Sequence, residues 1–199
     1  LTLRRTRSSG STADGVFGRG WVSDVDARVT PLAGGFAVRR LQGMTLFVPL
    51  QGKTYVSLWG DVELLRQTDD GFELASACGR VFRFDQTGVL SALVPEFELR
   101  RANRRIEMVG ADSTWTVRLG ADGHVDQIDA GDAELTYRYT GGALATVRGA
   151  AHRTYGEHDG RLVRVADSKG DRLRLSYDRR GRLVTLDSGD WRQSYRYTE

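Results

Sequence analysis

Asp24 and Asp26 form a D-x-D pair, and Asp122, Asp126, Asp129 and Asp132 make an acidic cluster. Grouped acids are what a calcium ion needs, since it takes about six to eight oxygens, usually from a loop turned by glycine. Neither stretch has the ligand order of such a loop, so both read as turn and surface acids. His124, His152 and His158 lie in separate stretches without an i, i+4 pair, whereas a zinc site needs about three convergent protein ligands. Cys78, in "ELASACGRVF", is the one cysteine. It cannot form an intrachain disulfide, and without a CxxC partner it reads as a buried or idle thiol rather than a nucleophile. Ser8, Ser9 and Ser11 occupy a polar stretch, not a strained G-x-S-x-G elbow. Trp21, Trp59, Trp115 and Trp191 could stack on sugar rings, although strand tryptophans more often join a core. Arg19, between Gly18 and Gly20, suits either a clamp on a partner chain or a simple turn. These residues assemble no catalytic, cofactor or metal site, and the chain reads as a non-enzyme.

Charge and composition narrow the class further. The chain has 29 basic and 26 acidic residues, and nearly all the basic ones are arginine. Arg4-Arg5-Thr6-Arg7 and Arg100-Arg101-Ala102-Asn103-Arg104-Arg105 could contact phosphates, but acids are interleaved almost everywhere and no reader motif accompanies them. The expectation is solvated strand faces and no nucleic-acid partner. No stretch approaches the roughly 18 apolar residues of a membrane span. The 24 glycines of 199 residues exceed the usual level of about 7 per cent and imply many turns. A start at Leu1 and an end in the strand-like "SYRYTE" read as a piece of something longer.

The elements that would position these residues form a repeat. Gly88 is followed at +2 and +5 by Leu90 and Leu93, Gly123 by Val125 and Ile128, and Gly142 by Leu144 and Val147. Gly160 has Leu162 and Val165, and Gly181 has Leu183 and Leu186. The last four glycines are 19, 18 and 21 residues apart. Four or five positions before each glycine stands Phe84, Leu119, Tyr137, Tyr155 or Tyr177. A period near 20 residues signals stacked units, each too small to bury its own face.

Each unit reads as a short β-hairpin. In "YDRRG", Asp178 suits the first position of a type I turn and Gly181 the positive φ that follows; "FDQTG" repeats this with Asp85 and Gly88. Leu173, Leu175 and Tyr177 alternate with Arg172, Arg174 and Ser176, as do Trp115, Val117 and Leu119, then Leu135, Tyr137 and Tyr139, and finally Trp191, Tyr195 and Tyr197. One aromatic-rich face should therefore be buried. Positions +2 and +5 cannot share a face of a regular strand, so a bulge or bend is expected between them. "EFELRRANRRIEMVG" also reads as a hairpin, turning near Asn103, because a helix would set Phe97 and Met108 opposite Leu99 and Ile106.

Before Gly88 the β-like runs are less regular, and Pro49 implies an edge or a bend. The expected organisation is a polar lead-in over residues 1–15, forming an edge strand or a mobile arm, then an irregular β region over 16–110. Tandem repeats follow over 111–199, continuous with the preceding sheet.

"YDRRGRLVTL" and its weaker copies resemble the YD repeat of the Rhs/YD-repeat family, which includes bacterial Rhs polymorphic toxins, toxin-complex shell components and teneurin-like YD shells. "FGRGWVSDVDARV", residues 17–29, resembles the segment preceding the array in Rhs proteins, through Phe17, Gly18, Gly20 and Trp21. The resemblance implies an all-β fold of tandem YD-type hairpins in an open, spiralling antiparallel sheet, part of a larger β-shell. Its repeat positions would be Phe84, Asp85, Gly88, Leu90, Gly123, Tyr137, Gly142, Tyr155, Gly160, Tyr177, Asp178, Gly181 and Leu183. It implies a structural segment that encapsulates and helps deliver a toxin polypeptide, exported from a bacterium to the medium or the cell surface. Its partners would be the rest of its own repeat chain, the enclosed toxin and secretion machinery. The alternative is a β-repeat module binding a cell-surface glycan or protein receptor. The self-cleaving segment that closes many such shells has no counterpart here.

Overall fold

The computed structural model of the protein describes residues 3–7, 14–60, 62–150 and 152–198. Ser8, Ser9 and Ser11, with Leu1 and Glu199, lie outside the described residues. Within them, 19 strands follow one another in chain order as one antiparallel sheet, from Arg28–Leu32 to Arg192–Ser194. The sheet is open, because Arg192–Ser194 pairs with Leu183–Asp187 alone and no ladder returns to Arg28–Leu32. Its first strand nonetheless curls back onto the turn before Leu90–Val94. There Val29 N–H donates to Gly88 O at 2.8 Å, Leu90 N–H donates to Ala27 O at 3.3 Å, and Arg28 bridges Val89. Two small two-stranded sheets lie outside this ribbon: Arg5–Arg7 with Trp21–Ser23, and Asp14–Gly15 with Gly18–Arg19. Among the described residues no helix is long and apolar enough to cross a membrane.

The period-two patterns become strands as alternation requires. Gly170–Tyr177 alternates exposed and half-buried along its length. Phe97–Ala102 and Arg105–Val109 form the hairpin about Asn103, burying Phe97, Leu99, Ile106 and Met108. Pro49 marks a bend, where the register to Thr54–Ser57 slips between Pro49 and Gln51. The ladder runs on across residue 110, with Val109 opposite Thr114 and Arg105 opposite Arg118.

The +2/+5 spacing has a single physical cause. In all five hairpins the residue at +2 pairs beside the turn, the residue at +3 has no opposite number, and pairing resumes at +4. Thus Phe84 faces Leu90, Ser91 is skipped, and Arg83 and Phe82 face Ala92 and Leu93. Asp126, Ala145, Val163 and Val184 are skipped in the same way. One extra residue shifts the period-two alternation by one, so +2 and +5 return to the same face. A bulge also bends and twists its strand, and five in equivalent places curve the sheet consistently.

The turns fall into two classes. At Asp178 the carboxylate accepts the N–H groups of Arg180 and Arg182, each at 2.9 Å, and Asp85 does the same for Thr87 and Val89 at 2.8 and 3.0 Å. Gly141 and Gly142, and likewise Asp159 and Gly160, instead both have positive φ in two-residue turns, the arrangement that matches strand twist. The shorter loop shifts the alignment. Tyr137 and Tyr155 face the +5 residues Val147 and Val165, whereas Phe84 and Tyr177 face the +2 residues Leu90 and Leu183.

The core lies on the concave face, from Val29 and Val38 through Phe72, Leu93 and Met108 to Leu144 and Val147. Among the described residues beyond Val147 the only buried apolar residue is Ala166; Leu173, Leu175, Tyr177 and Leu183 are half-buried. The expectation that Trp191 and Tyr197 are buried is corrected: they are 49% and 44% exposed, because no described strand covers the last edge.

Candidate functional site

The segment before the sheet builds the most elaborate set of contacts in the molecule. Phe17 is 1% exposed and packs against Tyr137, with ring centroids 5.4 Å apart. Trp21 meets Tyr155 edge to face at 5.4 Å. Gly18 has φ 86°, and a Cβ there would stand 2.8 Å from Gly142 O, so the backbone approach demands glycine. Arg19 clamps its own chain: its N–H donates to Gly142 O at 3.2 Å and its Nη2 to Gly141 O at 2.7 Å. Gly20 also has positive φ, beside the Arg7 guanidinium.

Arginines expected on solvated faces turn inward here. The Arg5 guanidinium carbon lies 4.9 to 5.6 Å from the ring centres of Trp21, Phe17, Tyr137 and Tyr155. Its Nη2 donates to Tyr155 Oη at 2.9 Å. A desolvated cation surrounded by ring faces gains from each quadrupole. The Arg7 side chain is 5% exposed, ion-paired with Glu157, and donates to Gly160 O at 3.1 Å.

The D-x-D acids are corrected too. Asp24 is 4% exposed and accepts Arg4 N at 2.9 Å and Arg4 Nε at 3.3 Å. Asp26 accepts Val16 N, Ser23 N and Ser23 Oγ at 2.9, 2.7 and 2.6 Å. These carboxylates satisfy buried donors around a short 3-10 turn, Asp24–Asp26. His124 is buried on Tyr139, with Nδ1 3.0 Å from Asp122 and Nε2 3.1 Å from Asp14. Asp122 also accepts the His124 N–H, which first among its contacts lowers its pKa. Among the described residues no group of three or more His, Cys, Asp or Glu could hold a metal ion. Cys78 is exposed rather than buried, 3.1 Å from Ser76 Oγ, and this contact lowers its pKa.

The repeat tyrosines have a role that spacing did not reveal. In each unit the ladder to the next hairpin stops at +4, leaving the +2 carbonyl without a strand partner. Gln127 faces Thr136, and the Tyr139 hydroxyl donates to Val125 O at 2.9 Å. Arg164 faces Arg174, and Tyr177 donates to Leu162 O at 2.8 Å. Thr185 faces Ser194, and Tyr197 donates to Leu183 O at 2.8 Å. The tyrosine thus staples adjacent hairpins through a carbonyl stranded by the bulge. Burial pushes the Tyr139 phenol far up, so it stays a donor. Three residues past the last rung, the equivalent positions elsewhere are Arg101, which reaches Leu90 O at 3.4 Å, and Glu157.

Residues 158–190, which hold Gly160, Tyr177, Asp178, Gly181 and Leu183, match the RHS Repeat family. That stretch carries an RHS repeat, in line with the resemblance of this chain to Rhs-type repeat proteins. Comparison with curated proteins finds no match. The RHS repeat is a structural repeat, and its tyrosine, aspartate and glycine have separable tasks here: stapling the previous hairpin, ordering the turn, and supplying the positive φ. A signal for the staples is present in the sequence, since Tyr139, Tyr177 and Tyr197 follow Val125, Leu162 and Leu183 by 14, 15 and 14 residues. Arg5, Arg7 and Glu157 leave no comparable trace.

Proposed function

We propose that this chain is a non-catalytic wall segment of an Rhs-type shell that encloses a toxin polypeptide and helps deliver it. The observation that carries this reading is the gradient along the concave face. Inner residues are fully buried in every unit up to Val147 and mostly half-buried afterwards. An apolar inner face left half covered suits a wall that packs against further polypeptide. Sequestration needs continuity of backbone pairing and no reacting group. The proposed partners are therefore the remainder of the repeat chain, the enclosed polypeptide and secretion machinery, with the product exported from a bacterium.

The test uses the longer parent chain. A downstream segment should resist protease while the wall is intact, and deletion of residues 111–199 should expose it to digestion without abolishing its own activity. Unchanged protection would remove the container reading.

A second reading, a module binding a surface receptor, is favoured by one feature. Met44 and Leu50 on the strand Gly43–Gln51, with Trp59 and Val62 in the loop after Thr54–Ser57, are 60 to 75% exposed, whereas later strand positions such as Arg118 and Asp129 are ion-paired. Undiminished protection after the deletion, together with loss of cell binding in Trp59→Ala, would support it.

A further inference from the structure

Three pairs of arginines stand directly opposite one another across neighbouring strands among the described residues: Arg28 and Arg39, Arg105 and Arg118, and Arg164 and Arg174. Like charges in this position repel, and a sheet has to compensate them. Two pairs are compensated from within. Arg105 binds Glu107 at 2.7 Å and Arg118 binds Asp129 at 3.1 Å. Arg164 and Arg174 share Asp171, at 2.5 and 2.7 Å. For Arg28 and Arg39 no carboxylate among the described residues lies within ion-pairing distance, and the flanking cross-strand residues are Val89 and Met44.

This pair lines a cleft of about 310 Å³ together with Arg101, the residue standing where other units carry a tyrosine. Arg101 is held there by the carbonyls of Val25, at 2.9 Å, and Leu90, which carry no formal charge. Acids also line the cleft, but each has other partners. Asp26 accepts from the neutral donors of Val16 and Ser23 and turns its charge toward Arg101, while Asp14 and Asp122 face the two ring nitrogens of His124. The cleft therefore holds one opposed pair, Arg28 and Arg39, with no carboxylate of the described residues at ion-pairing distance, beside an Arg101 whose charge Asp26 and Asp85 partly offset.

We propose that this cleft is an oxyanion site, in which a carboxylate or phosphate group from outside the described chain bridges Arg28 and Arg39 with Arg101 beside it. Planar guanidinium donors match the paired oxygens of such groups, and the other two arginine pairs show the same sheet using carboxylates for this purpose. The site differs from the proposed shell wall in place and in chemistry, and it survives if that reading fails.

The experiment is thermal unfolding of the 199-residue chain at constant ionic strength, titrated separately with inorganic phosphate and with a short glutamate-rich peptide. The reference is the Arg28→Gln/Arg39→Gln variant, which absorbs the general effect of salt. Wild type should gain at least about 2 °C more than the reference at saturation. A response to phosphate alone assigns a free anion, and a response to the peptide at lower concentration assigns acidic side chains of a polypeptide. Arg28→Glu supplies the missing carboxylate internally, so it should melt above wild type without added anion and lose the response. Equal shifts in wild type and reference, or an Arg28→Glu protein that melts below wild type in anion-free buffer, would overturn the site.

Discussion

Replacing Gly88 and Gly123 separately by alanine isolates the contact that curls the sheet back on itself. Both glycines end turns of the same form, with φ of 78° and 83°. Gly88 N–H donates to Asp85 O at 2.9 Å and Gly123 N–H to Gly120 O at 3.1 Å. An alanine held at either φ costs about 1–2 kcal/mol, because its Cβ crowds the following carbonyl. Beyond that the positions differ. A Cβ at Gly123 has nothing within 4 Å, whereas one at Gly88 runs into the Val29 carbonyl, with Val29 C at 3.1 Å. Backbone cannot swing aside as a flexible side chain can, so the first strand must move off. The Val29–Gly88 and Leu90–Ala27 hydrogen bonds would be lost, at roughly 0.5–1.5 kcal/mol each. Gly88→Ala should thus cost about 1–3 kcal/mol more than Gly123→Ala. With an m-value of about 2 kcal/mol/M, its urea midpoint should lie roughly 0.5–1.5 M lower, provided each variant unfolds in a single transition. Tryptophan fluorescence reports the transition, since Trp21 is buried in the core. Coincident midpoints would refute the curled-back geometry.

Tyr139→Phe should destabilise by about 1–3 kcal/mol, because Val125 O is left buried and unpaired, and the exposed Tyr197→Phe should cost less; thermal melts of the two variants check the order. Glu157→Gln leaves the Arg7 charge buried without its partner and should cost about 3 kcal/mol or more, while adding Arg7→Met should recover part of it, read from urea midpoints. The Asp178 pKa is lowered first by the Arg182 N–H, then by the Arg182 guanidinium, and Asp187 is lowered by the Gly189 N–H and Arg192. A carboxyl depressed in the folded state lends stability above its unfolded value, about 3.9, and loses it as pH falls through the lower folded value. The drop in urea midpoint between pH 5 and pH 2.5 should therefore be smaller in Asp178→Asn than in wild type.

What could be read in the sequence was whatever the backbone repeats. The glycine register, the alternating strands and the Asp178 and Asp85 turns are local, each settled within about ten residues of chain. The +2/+5 spacing announced an irregularity, and the skipped residue at +3 is its form. What escaped depends on partners far apart in sequence. Arg5 is caged by rings up to 150 residues away, and an arginine bound for such a cage is indistinguishable in sequence from one bound for solvent. The same blindness made Asp24 look like a surface acid, because its donor is the backbone and side chain of Arg4, 20 residues earlier. Trp191 failed in the opposite sense. Its pattern predicts a buried face, but burial requires a neighbouring strand and none of the described ones lies beyond it.

The two departures from the tyrosine position carry a common meaning. A repeat that kept tyrosine everywhere would bind only itself, since each staple is spent on the previous hairpin's carbonyl. Arg101 still reaches Leu90 O through Nη2, and the same nitrogen also donates to Val25 O of the opening segment. Glu157 abandons the staple altogether and pairs with Arg7 from the same segment. Both exceptions occur where something other than the next hairpin has to be held. Both departures thus add to the contacts that hold the opening segment. Arg28 and Arg39 stand beside Arg101, an opposed pair for which the described sheet supplies no ion-pair partner.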